Sequence, residues 1–120
     1  MMTKTEGFHA GEFLLSEGVG SISREQVTLA ATAKALPAGQ VLGIVTASGQ
    51  YAPYDDAATD GTEVAVAILY ASKPASPDPQ AVTVIARLAE VIDVALTGLN
   101  DAARGDLKAR NLIVRTGTPY

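Results

Sequence analysis

The segment from Leu36 to Tyr70 constrains the fold most, because it holds two β signals joined by an acidic turn. Val41 to Thr46 is an apolar, β-branched run, bounded before by Pro37-Ala38-Gly39 and after by Ala47-Ser48-Gly49, which predicts a strand entering a short turn. Gln50 to Tyr54 is the return strand. Pro53 has no N–H to give a ladder, so that strand is expected to lie on a sheet edge or to end there. Asp60-Gly61 forms a second turn, where glycine takes positive φ without steric cost. The nearly all-apolar run from Val64 to Tyr70 then predicts a central strand covered on both faces.

The remaining elements are read outward from this segment. Gln26 to Ala31 predicts an earlier strand, with Val27 and Leu29 on one face and Thr28 and Ala30 on the other. Ala71 to Gln80 contains Pro74, Pro77 and Pro79 and predicts an exposed loop. From Ala81 to Val91 the strand signal resumes, with Val82, Val84, Ala86 and Leu88 on one parity and Thr83, Ile85 and Arg87 on the other. At Leu99 the period changes: Leu99, Ala102, Ala103 and Leu107 form the narrow apolar stripe of a short amphipathic helix. Thr97 or Asn100 caps its start, Asp106 and Arg110 are spaced for an i, i+4 pair, and Asn111 suits a left-handed end. Gly105 inside it costs about 1 kcal/mol relative to Ala, so the helix needs tertiary support. Leu112 to Arg115 predicts a last short strand, followed by an irregular tail.

Before Ser23 the chain is rich in Gly and Ser and poor in β-branched residues, which predicts a mobile arm. Phe8, Phe13, Leu14 and Leu15 nevertheless include both phenylalanines of the chain. Side chains of this size are unfavourable in water, so they either fold back on the domain's own core or are covered by a partner.

Composition narrows the chemistry. At 120 residues the chain is long enough for one domain that buries about two-thirds of its unfolded surface. With 48% hydrophobic residues but only 5% aromatic ones and no Trp, its core has to be built from Ala, Val, Leu and Ile. No cysteine is present, which removes disulfides, thiolate metal sites and a Cys nucleophile together. The formal charge of −4 and nine Lys and Arg spread along the chain argue against a nucleic-acid footprint. No apolar run is long enough to span a bilayer, and no signal-peptide pattern is seen at the N-terminus, so synthesis in a cytoplasm is expected.

Catalytic constellations fail one by one. His9, the single histidine, lies in the predicted arm with nothing to orient it, and no Ser sits in a G-x-S-x-G elbow. Gly18-Val19-Gly20 begins like a dinucleotide loop, but Ser23 stands where the third Gly belongs. For the acidic turn, taking Gly61 as the sharp-turn glycine of a calcium loop puts Ala58 and Ala67 at ligand positions. A solvated turn is the better reading. Tyr51 and Tyr54 have an odd separation, which sends them to opposite faces of an extended strand and argues against a stacking platform. No metal or cofactor is expected.

The ordered series Leu36-Pro37-Ala38-Gly39, Val41-Leu42-Gly43, Thr46-Ala47, Gly49, Tyr51, Asp60-Gly61 and Glu63-Val64-Ala65 resembles the bacteriophage head decoration family of lambda type. The likeness extends upstream to Gly11-Glu12-Phe13-Leu14-Leu15-Ser16-Glu17 and Ser23-Arg24-Glu25, and downstream to Arg87, Glu90-Val91 and Leu112-Ile113-Val114-Arg115. This resemblance implies a mainly β fold, β-clip-like with a small mixed sheet and one short C-terminal helix. It implies an N-terminal capsid-binding arm over residues 1–25 and a β-rich decoration domain over residues 26–120. It further implies a non-enzymatic homotrimer that binds the major capsid protein at three-fold positions on the outside of an expanded head and stabilises it against packaged DNA, with no nucleic acid or membrane as direct partner. The expected capsid-binding residues are Phe8, Glu12, Phe13, Leu14 and Leu15. The alternative is a small β-barrel-like ligand-binding or enzyme accessory domain, which a closed pocket would favour. The arm and the loop from Pro74 to Pro79 depart from the lambda protein's own pattern.

Overall fold

The computed structural model describes residues 11, 13–18 and 22–116. Its strands are β1 (Leu14–Glu17), β2 (Arg24–Leu29), β3 (Val41–Ile44), β4 (Tyr51–Pro53), β5 (Ala67–Leu69), β6 (Gln80–Ile85), β7 (Ala89–Ile92) and β8 (Leu112–Arg115). One helix, α1 (Asp101–Lys108), precedes β8. Five strands close a barrel in the order β2-β4-β3-β5-β6, and the other three form a sheet in the order β1-β7-β8. Both contain one parallel pairing, β2 with β4 and β7 with β8, so the fold is mainly β with mixed sheets and a short C-terminal helix.

Strand alternation separates two cores. Leu29, Leu42, Ala67, Leu69, Val82 and Val84 point into the barrel and fill it, so it is a packed interior rather than a ligand cavity. Val41, Ile68 and Ile85 point outward from the same strands and meet Phe13, Val91, Leu107 and Leu112 of the second sheet and helix. β5 therefore lies between the two cores. This is why the run around it is apolar at every position from Ala65 to Leu69, all buried. The regular strand is shorter than the sequence signal, and Val64 at its start is exposed. Tyr51 and Tyr54 lie against different cores, as their odd separation requires.

The return strand ends at Pro53, but it is not an edge: Leu29 of β2 pairs with Tyr51 on the side away from β3, closing the barrel. The signal from Ala81 to Val91 is two strands. β6 belongs to the barrel and β7 to the second sheet, and between them Leu88 takes φ 53°. The barrel-facing positions Val82, Val84 and Ala86 end there, while Ile85, Ala89 and Val91 all face the second core, leaving Leu88 exposed. The loop between β5 and β6 is anchored by antiparallel bridges from Leu36 to Lys73 and from Thr32 to Ser76.

α1 starts where Asn100 Oδ1 accepts the Ala103 N–H at 2.8 Å, and it turns Ala103 and Leu107 inward. Asn111 takes φ 62° immediately before β8, the left-handed conformation foreseen for it. Asp106 does not pair with Arg110; its Oδ2 accepts the Ala65 N–H at 3.0 Å, tying the helix to the chain entering β5. A buried backbone donor with no other acceptor is a stronger claim on that carboxylate than a solvated guanidinium.

Gly61 carries φ 112° at the turn that lays residues 60–64 across β3. Gly43 allows the close approach from the other side, for a Cβ there would sit 2.7 Å from Thr62 Cα and 2.8 Å from the Val64 carbonyl oxygen. Both obstacles are backbone. Gly43→Ala should therefore destabilise the fold by about 1–3 kcal/mol, the usual cost of overpacking, read as a lower urea midpoint with an unchanged slope.

Candidate functional site

The N-terminal edge brings together the residues the sequence singled out. Gly11, at φ 71°, donates its N–H to the Tyr70 carbonyl at 2.9 Å, and Leu14 N–H returns to the Gly11 carbonyl at 2.9 Å. The turn this makes drops Phe13 into the second core at 0% exposure, where the Ile92 N–H reaches its carbonyl at 2.9 Å. β1 then pairs antiparallel with β7, matching Leu14 with Val91 and Glu17 with Ala89. Between its two possible fates, Phe13 folds back on the domain itself. Leu14 is half-buried against the same core, while Leu15 is 52% exposed on the outermost strand. The expectation of a mobile arm thus does not hold for Leu14–Glu17, which form a sheet strand because burial of Phe13, half-burial of Leu14 and the ladder to β7 together offset the backbone entropy. Phe8, His9 and Glu12 lie outside the described residues.

A clasp closes the far end of β1. Arg24 at the start of β2 reaches back to Glu17 through two parallel bonds, Nε to Oε2 at 3.0 Å and Nη2 to Oε1 at 2.8 Å. Its guanidinium also lies 4.3 Å from the centre of the Tyr70 ring. Beneath it, the fully buried Ser23 accepts the Gly18 N–H at 2.7 Å and donates to the Leu88 carbonyl at 2.9 Å. One hydroxyl thus satisfies a donor from the β1–β2 turn and an acceptor from the β6–β7 crossing. No local sequence pattern points to this clasp: Glu17 and Arg24 flank a Gly- and Ser-containing stretch, but their pairing depends on a tertiary crossing.

The acidic turn serves the fold. Asp60 Oδ1 accepts both the N–H and the hydroxyl of Thr62, at 3.0 and 2.6 Å, and these bonds hold its carboxyl below the usual carboxylate range. Burial pushes the Tyr54 phenol up; its oxygen lies 3.1 Å from both Asn100 Oδ1 and Asp56 Oδ1. Among the described residues no three His, Asp or Glu side chains are grouped to hold a metal ion.

The sequence model of the family described as bacteriophage lambda head decoration protein D matches residues 3–112. The chain belongs to that family. A comparison with curated proteins gave no match. As a head decoration protein it is a structural component of the phage capsid, and the family match spans β1, the barrel and α1 up to the first residue of β8.

Two outcomes are expected at this edge. Phe13→Ala should cost about 3–5 kcal/mol, as large-to-small changes of a buried aromatic do, read by chemical denaturation. Glu17 is held below its ordinary value chiefly by the hydrogen bonds from Arg24, against a smaller opposing effect of desolvation. Its contribution is then complete above the unfolded carboxylate value of about 4.3 and is lost as pH falls through the depressed folded value. Amide resonances of Leu15 and Ser16 should move with this titration below about pH 4, and Glu17→Gln should abolish the acid-dependent component.

Proposed function

We propose that this decoration protein adds as a homotrimer to the outer surface of an expanded phage head, at its three-fold positions. There it binds the major capsid protein and reinforces the shell against the pressure of packaged DNA. The family match over residues 3–112 is the observation that carries this reading. The net charge of −4 agrees with a place outside the shell, away from the genome. Assembly would take place in the host cytoplasm, with the virion as the final location.

In this reading attachment runs through the N-terminal segment. Phe13 acts as the anchor that fixes the segment to the domain, and Phe8, Glu12, Leu14 and Leu15 contribute to the capsid contact. Leu15 supports this assignment, being a large aliphatic side chain exposed on an edge strand, a surface suited to strand addition by a partner.

Deletion of residues 1–10 is the direct test, since it spares the Gly11 turn, Phe13 and β1. The truncated protein should keep its melting temperature and a trimer mass by light scattering, and should no longer co-sediment with expanded heads. Full occupancy on heads would place the attachment surface elsewhere, and a monomer mass for the intact chain at micromolar concentration would overturn the trimer.

A further inference from the structure

We infer that the helix–strand unit α1–β8 carries a second docking edge, built to take an acidic, extended segment of a partner protein. β8 is the last strand of its sheet, so one row of its backbone N–H and C=O groups has no partner strand among the described residues. Beside that row runs an open cleft of about 290 Å³, lined by Arg104, Gly105, Lys108, Ile113 and Val114. Gly105 keeps the cleft open, for nothing lies within 4 Å of where its Cβ would be. Ile113 and Val114 are consecutive in β8 and face opposite sides of it, so a peptide backbone added to this edge would place one set of alternate side chains beside Ile113 and the other beside Val114.

Charge determines what kind of segment fits. Four of the nine Lys and Arg of the chain, Arg104, Lys108, Arg110 and Arg115, fall between positions 104 and 115, in a protein of net charge −4. The one acidic residue in that stretch, Asp106, turns away to the Ala65 N–H. Arg104 and Arg115 are engaged with Asp93 and Glu90. Lys108, exposed on the cleft wall, has no ion-pair partner among the described residues, and no acidic side chain lines the cleft. An acidic strand satisfies three features together: the open backbone row, the apolar cleft and the two cations, Arg104 and Lys108, that line it. A basic strand would be repelled, and a purely apolar one would leave the cations unused.

The test uses the full chain, isotopically labelled, with a blocked peptide of about eight alternating Val and Glu residues followed by amide chemical shifts. Shifts should concentrate at residues 112–115 and at the C-terminal turn of α1, fade with added salt, and be absent with the matching Val–Lys peptide. Lys108→Glu should weaken binding by roughly fivefold, the effect of one exposed charge contact. Gly105→Leu should leave the fold intact, since its side chain enters empty space, yet block the peptide by filling the cleft. Equal binding of the lysine peptide, shifts confined to other strands, or tighter binding of a short single-stranded DNA at the same residues would each overturn the inference. Concentration-dependent shifts of these amides without peptide would also overturn it, because a second copy would then cover the edge.

Discussion

Burial of one short strand on both of its faces holds the structure together. β5 has three residues, yet Ala67 and Leu69 enter the barrel while Ile68 enters the second core, and β3 and β6 pair with it on either side. Neither core can be assembled without it. Small aliphatic side chains make this possible: in a chain with few aromatics, the two layers approach closely enough for alternate residues of β3, β5 and β6 to serve different cores. Asp106 strengthens the link by accepting a backbone donor just before β5, so the helix, the second sheet and the barrel meet at a single segment.

The crossing between the two sheets is the second requirement. The chain leaves the barrel at Ile85 and enters the second sheet at Ala89, turning between the two. A single residue in the left-handed region accomplishes this, and it is a leucine rather than a glycine. A bulky side chain at positive φ is uncommon and needs support from its surroundings. Here Ser23 binds the Leu88 carbonyl, the Ala86 N–H reaches the Ser23 carbonyl, and Arg87 engages both Glu25 and the Ile22 carbonyl. The same contacts end the β1–β2 turn, so the N-terminal strand and the crossing stabilise each other.

For a capsid component these features have a common consequence. Both cores are filled and cross-tied, while the open strand edges lie on the smaller sheet, at β1 and β8. Edges of this kind are a hazard in a free protein and an advantage in one that works inside an assembly. Their chemistry differs: β1 offers an exposed leucine, whereas the cleft beside β8 is lined by Arg104 and Lys108.

Local patterns determined much of this protein. The strands at β2, β3 and β8, the proline stop at Pro53, the helix with Asn100 at its start and Asn111 at its end, and the positive φ of Gly61 each depend on neighbours within a few residues, and each was legible in the sequence. The ordered series from Leu36 to Ala65 also carried the family. Tertiary structure decided what depends on distant partners. Closure of the barrel through Leu29 and Tyr51 removed an expected edge, and the split of the run from Ala81 to Val91 followed from two sheets sharing one apolar signal. Asp106 chose a backbone donor 41 residues away over a neighbour on its own helix. Phe13 was the most ambiguous residue, because a phenylalanine in a Gly- and Ser-rich segment has the same local pattern whether a partner or its own domain covers it. Only its packing in one core with Val91, Leu107 and Leu112 decided that its own domain does.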